Sequence, residues 1–317
     1  MRTTGSDTLS ITLNQRRIGT ITRLINDTIV FAFDPEYEQD NDRPILSLSY
    51  KGALNTLVPG KTTTTSKLTP LFSNLLPEGH LREYLAKSLD ISSNREFYLL
   101  AALGQDLPGA VIATPLGEIA SSDFSSPQRN KIDIPELRFS LAGVQLKFSA
   151  IAEARGTFTV TADGGGGSWI IKLPSANHPQ VPEVEYSMLT LAKLTGIEVP
   201  EFKLIQTSLV EGLPAEFRSI VAESLAVKRF DRTDNGGRIH MEDFRPGLSE
   251  FIPKDKYAKA GFGHIARVLW LECGEESYCE FIRRLVFSVA IGNGGHASEK
   301  LEPSLQRPKE TSTFSCI

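Results

Sequence analysis

Cysteine is scarce in this chain: Cys273, Cys279 and Cys316 are the three it has among 317 residues. An odd number, with no paired Cys or His at ligand spacing, excludes a disulfide framework and a zinc-finger pattern, and leaves the thiols structural or incidental. Long apolar runs are missing too. The stretch Leu285-Val286-Phe287-Ser288-Val289-Ala290-Ile291 is among the longest, far short of the roughly 20 residues that cross a bilayer as a helix. The opening Met1-Arg2-Thr3-Thr4-Gly5-Ser6-Asp7 lacks the apolar core of a secretion signal, so a cytoplasmic protein with no membrane partner is expected. Charge of one sign is also lacking. A net charge of -4 gives no general attraction to nucleic acid or an anionic surface.

What is present is ordinary for a soluble globular protein: 40% hydrophobic and 23% charged residues. A chain of this length exceeds what one core usually organises, so two domains are expected. Period-2 runs at 8–13, 17–21, 29–33 and 46–50 predict a small antiparallel sheet. Helical patterning follows from Leu68 through Leu89, and again over 96–103 before Gly104. The polar run Ser121-Ser122-Asp123-Phe124-Ser125-Ser126-Pro127-Gln128 is the best linker candidate. The expected division is a first domain over 1–120, a linker over 121–130 and a second domain over 131–294. In that second part, runs at 158–160 and 169–172 flank Asp163-Gly164-Gly165-Gly166-Gly167 and predict a hairpin. A helix over 184–194 closes at Gly196, a strand covers 224–232, and helices cover 262–270 and 278–287. The fold class expected is α+β.

Several of these segments carry chemistry. In Ser140-Leu141-Ala142-Gly143-Val144-Gln145-Leu146-Lys147, small residues let consecutive N–H groups point into one concavity that can hold phosphate oxygens, and Lys147 adds charge. A simple turn reads equally from the same residues, and no GxxxxGK[ST] arrangement is present. Lys172 ends a strand. A kinase uses a strand lysine on nucleotide phosphates and an acidic residue on a following helix to position it. Glu185 answers that description on the helix over 184–194, in its first turn, although the helix dipole alone also favours an acid there. Lys228-Arg229-Phe230-Asp231 ends a strand in charge, as either an edge strand or a segment joining two lobes. His240 has no second nitrogen or sulfur ligand at metal spacing and reads as structural.

Taken in order, Leu75-Leu76-Pro77-Glu78-Gly79, Gly104 to Val111, Ser140 to Lys147, Trp169 to Lys172, Lys228 to Asp231 and Arg238-Ile239-His240-Met241-Glu242-Asp243-Phe244 resemble the HipA-type serine/threonine kinase toxins. The resemblance runs through Gly294. It implies a small β-rich N-terminal subdomain with helices, followed by a protein-kinase-like bilobal domain, with ATP and Mg2+ as cofactors. It implies Ser140 as an autophosphorylation site. Ala142, Gly143, Val144, Gln145, Leu146, Lys147 and Lys172 would serve the nucleotide phosphates and Glu185 would position Lys172. The backbone of Lys228, Arg229 and Phe230 would take the adenine edge and Asp231 the ribose. It further implies a HipB-like helix-turn-helix antitoxin as partner, DNA only indirectly through that antitoxin, and a translation component such as an aminoacyl-tRNA synthetase as substrate.

After Val289-Ala290-Ile291-Gly292-Asn293-Gly294 the resemblance breaks. Members of the family continue G-N-x-D-x-H-x-K-N, with the aspartate as catalytic base and the asparagine on magnesium; here Gly295-His296-Ala297-Ser298-Glu299-Lys300 follows. Codons can be chosen for residues 294–303 so that deleting one G restores Gly-Asp-Met-His-Leu-Lys-Asn, which points to a frameshift and an incomplete C-terminal lobe. No catalytic base and no metal ligand are then expected, and residues 295–317 are expected to be a disordered tail. Three functions follow: an inactive kinase toxin by lineage, a non-catalytic antitoxin-binding protein, or one half of a split kinase. Apolar helix faces left uncovered are a further expectation.

Overall fold

The structure, a computed structural model, describes residues 7–58, 63–117, 146–160, 167–174, 179–242 and 262–293. They group into two compact units that interleave along the chain. The expected linker and the expected tail lie outside the described residues.

The first unit draws on residues 7–76, 96–117, 238–242 and 262–293. Its sheet is built from β1 (Asp7–Leu13), β2 (Arg16–Arg23), β3 (Thr28–Phe33), β4 (Thr63–Thr65) and β5 (Val111–Pro115), all antiparallel, in the order β4-β3-β2-β1-β5. Alternation explains the strands: Leu9, Ile11 and Leu13 are fully buried, as are Ile18 and Ile21. The β1–β2 turn uses Asn14 (φ 50) and Gln15 (φ 66), the positive pair that a two-residue hairpin turn of matching twist needs. Short helix α1 (Pro35–Gln39) follows β3, and α2 (Pro70–Asn74) precedes β5. Phe31, Phe33, Tyr37, Tyr50 and Phe72 form a chain of ring contacts 4.6 to 6.0 Å apart.

Two expectations fail here. The run at 46–50 is not a strand but a 3-10 turn over Leu48–Tyr50. Ser47 Oγ accepts from Ser49 N at 2.9 Å, and Glu242 accepts from Leu48 N at 2.8 Å and from the Ser47 hydroxyl. Capping by a residue distant in sequence overrides the local alternation. The single helix read from Leu68 to Leu89 is two, α2 and α3 (Gly79–Ser88), because the ring of Pro77 removes a donor and blocks continuation. Helix α4 (Glu96–Leu103) stops before Gly104, where a Cβ would meet Ala113 O at 2.2 Å.

The second unit draws on residues 77–95, 146–160, 167–174 and 179–237, and so includes α3. Its strands are β6 (Lys147–Ala152), β7 (Phe158–Val160), β8 (Trp169–Lys172), β9 (Phe202–Gln206), β10 (Val210–Glu211) and β11 (Glu223–Lys228). Helix α5 (Val181–Leu194) lies between β8 and β9 in sequence. The order is β10-β7-β6-β8-β11-β9, antiparallel except for β10 with β7. The hairpin expected between 158–160 and 169–172 is therefore wrong: β6 pairs with both β7 and β8 and separates them. The tight turn lies instead between β6 and β7, where Glu153 N donates to Thr157 O at 2.9 Å and Gly156 takes φ 83.

One face of this sheet is core. Ala150, Phe158, Trp169, Ile171 and Ala226 pack there with Tyr84 of α3, Phe217 and Leu213. The other face, at its β9–β11 side, carries α5: Tyr186 meets Phe202 edge-on at 5.3 Å.

The last described element, α6 (Phe262–Ala290), is helical on both sides of a break at Gly274, with φ 85 and ψ -175. This matches the two expected helices. Leu269 and Phe281 pack across the break with Ile265 and Ala266, while Trp270, Leu271, Val286 and Val289 are exposed. Cys279 is free and exposed. No helix of the described residues is long and apolar enough to cross a membrane.

Candidate nucleotide-phosphate site

The site begins with strand register. Lys147 on β6 lies opposite Lys172 on β8, and Lys172 lies opposite Leu225 on β11. Directly opposed residues of antiparallel strands point to the same face, so the two lysines stand side by side on the face away from the Trp169 and Ile171 core. Like charges so placed repel each other. Part of that cost is offset on one side only: Glu185 of α5 accepts an ion pair from Lys172. Helix α5 starts at Val181, with Pro182 in its first turn, so the acid of the first turn is Glu183. Glu185 sits a turn further in than the sequence suggested, which removes the helix dipole as the main reason for an acid there.

At the end of β11 the chain is tied down on several sides. Lys228 N donates to Glu201 O at 2.7 Å and Arg229 N to Ser168 O at 2.8 Å. Two of the three backbone N–H groups of the segment expected to meet adenine are thus already used by neighbouring chain. The Lys228 side chain donates to Asp234 at 2.7 Å, which raises the Lys228 pKa and lowers that of Asp234. Phe230 is half-buried. Asp231 accepts from Arg229 through both oxygens, Nε to Oδ1 at 2.9 Å and Nη2 to Oδ2 at 2.8 Å, and from Arg232 Nη1 at 2.7 Å. All three side chains are buried. Arg229 Nη1 also reaches Ser149 Oγ of β6 at 3.4 Å, and that hydroxyl accepts from Gly167 N at 3.0 Å.

The structure thus brings together Lys147, Lys172 and Glu185, and separately Arg229 and Asp231. Leu146 joins the core, and its carbonyl accepts from Leu173 N at 2.9 Å. Ser140, Ala142, Gly143, Val144 and Gln145 lie outside the described residues, as does the segment from Gly294 onward. Ser149 and Gly167 were missed in the sequence. Ser149 was findable once Lys147 is placed on a strand, since residues two apart share a face. A Cβ on Gly167 would sit 2.2 Å from Ala150 O, which is why glycine stands there. Among the described residues no three His, Cys, Asp or Glu side chains are grouped to hold a metal. His240 is buried in the first unit and hydrogen-bonds Leu46 O through Nε2 at 2.8 Å.

Comparison with known proteins adds to this geometry. A family model described as the HipA-like C-terminal domain matches residues 139–297, and one described as the HipA N-terminal domain matches residues 9–114. The chain belongs to the HipA family. A Sinorhizobium fredii protein named "Putative kinase Y4dM" is 44% identical over 292 residues, covering 90% of this HipA-like chain and 70% of its own length. The Shewanella oneidensis "Serine/threonine-protein kinase toxin HipA" is 26% identical over 228 residues, covering 64% of this chain and 48% of that protein. A solved structure titled as the Shewanella oneidensis HipA, HipB and operator DNA complex matches with a TM-score of 0.67 and 20% identity, over 98% of this chain and 74% of that one. That likeness bears out the α+β, kinase-like fold of HipA proteins.

Proposed function

We propose that this HipA-like chain is, by lineage, an ATP-dependent serine/threonine kinase toxin that holds the nucleotide without transferring its phosphoryl group to a protein. The observation that carries the reading is the pair of opposed lysines on β6 and β8, of which Lys172 is positioned by Glu185. Two cross-strand cations are unfavourable alone and suited to a polyphosphate. ATP, when bound, supplies a transferable phosphoryl group. Lys172 binds its phosphate oxygens, Glu185 fixes the direction of Lys172, and Lys147 adds a second positive charge. The face bounded by Ile170 and Val227 on neighbouring strands gives the base an apolar surface.

Transfer also needs a base that accepts the hydroxyl proton. Asn293-Gly294-Gly295-His296-Ala297-Ser298 contains no aspartate where the family resemblance puts that base. His296 lies in an unrelated local sequence. The family relation, together with the HipB and operator DNA in the matching structure's title, supports a HipB-like helix-turn-helix protein as partner, with DNA reached through it. The family's protein target, a translation component, would then go unmodified.

Calorimetry with ATP and Mg2+ on the purified chain and on Lys172→Ala tests the reading. Saturable binding that the substitution weakens at least about tenfold, the worth of one charge-assisted contact, supports it. Absence of binding by the folded wild type overturns it, and label transfer from ATP to an added protein, lost in Lys172→Ala, overturns the claim of inactivity.

A further inference from the structure

We propose that Asp231 is a positioning residue: through Arg229 it clamps the chain at the end of β11 to β6, with Arg232 as a second ion-pair partner, and this sets the backbone of Lys228 to Phe230 for the nucleotide base. The inference rests on the nucleotide-site reading and departs from an open ribose acceptor. Three observations carry it. Asp231 is 4% exposed and Arg229 7%, so the pair lies out of contact with water. The Arg229 contact is two-pronged, 2.9 and 2.8 Å, a geometry that fixes a guanidinium in orientation as well as place. From that fixed position Arg229 reaches Ser149 Oγ, on the strand that also carries Lys147. The side chains of Arg229, Val227 and Leu225 share a face by strand alternation, so the clamp ends on the same face of the sheet as Lys172. Removing the carboxylate takes away the two-pronged contact that orients Arg229, and the segment that bears it loosens.

Asp231→Asn keeps the size of the side chain and removes its charge. Two readouts are needed, one independent of nucleotide. Amide hydrogen exchange at Lys228 and Arg229, whose N–H groups donate to Glu201 and Ser168, is expected to quicken at least about tenfold, relative to amides of β8 in the same variant. Affinities for ATP, 2′-deoxy-ATP and 3′-deoxy-ATP are expected to fall together, each by about tenfold, leaving their ratios as in the wild type. A ribose ligand behaves oppositely: the deoxy ratios collapse toward one while exchange is unchanged, which sinks the proposal. A purely structural role lowers the melting temperature but leaves the folded variant's affinity intact, and that result also sinks it. If Asp231→Asn does not fold, Arg229→Lys, which keeps the charge and loses the second prong, carries the same readouts, and Asp231→Glu should restore both in part. If the wild type binds no ATP, the nucleotide reading fails by itself, and the exchange measurement alone still decides whether Asp231 holds this segment.

Discussion

Replacing Glu185 by Gln removes one charge from a group of three and leaves Lys172 facing Lys147 with nothing between them. The Lys172 and Glu185 side chains are 24% and 29% exposed, so the lost ion pair is screened and contributes only about 0.5–1 kcal/mol. Glu185 also offsets the charge of Lys147, and the loss of that attraction can be bounded: at ~5 Å, two unit charges interact by about 0.8 kcal/mol in water and about 3 kcal/mol at an effective dielectric constant near 20. Lys147 is exposed, so the lower figure applies and the whole substitution should cost about 1–2 kcal/mol. The chain has two tryptophans, so a Trp270→Phe background leaves Trp169 as sole reporter of the second unit in urea unfolding. Near 0.05 M salt the full deficit should appear. Near 1 M salt, where screening acts within about 3 Å, it should shrink by about half. In a Lys147→Gln background the Glu185→Gln cost should drop by about 0.5–1 kcal/mol, because the second cation that Glu185 offsets is gone. A cost that ignores both salt and Lys147 would show that the lysines do not feel each other, and the phosphate site would lose its physical basis.

Burial pushes the His240 pKa down from 6.5 to about 4, against a weaker upward effect of its bond to Leu46 O. The unfolded chain therefore binds a proton between those values that the folded chain does not. Stability of the first unit should be flat above about pH 7 and fall by up to about 3 kcal/mol as pH drops from about 6.5 to about 4. His240→Gln should flatten that slope in urea titrations at pH 7 and pH 5. Phe158→Ala, at a fully buried position, should cost about 3–5 kcal/mol by the same Trp169 signal. Gly167→Ala pushes a methyl into the Ala150 carbonyl and should cost about 1–3 kcal/mol while weakening ATP binding, since β6 and β8 must separate.

Much of this was legible because local pattern and chemistry agreed. The alternation of Leu9, Ile11 and Leu13, the helix over α4 and the strand ending in Lys172 follow from period and composition alone. The pairing of Lys172 with Glu185 was readable as a strand lysine followed by a helix acid. Other features depend on residues far apart. Nothing local says that β6 enters between β7 and β8, since a glycine-rich turn between two strands most simply makes a hairpin. The same holds for 46–50, whose alternation is a strand's until Glu242 caps Leu48 and Ser47. For Asp231 the sequence shows that Arg229 and Arg232 are near, but not that all three are buried.

Glu242 caps Ser47 and Leu48 across 195 and 194 residues of chain. During synthesis the first sheet emerges long before its last stitch. At ~5–20 residues per second, that interval is roughly 10–40 s. For that time on the ribosome the 46–48 turn must wait with its donors in water, and a chaperone that covers it would be competing with the protein's own residue 242.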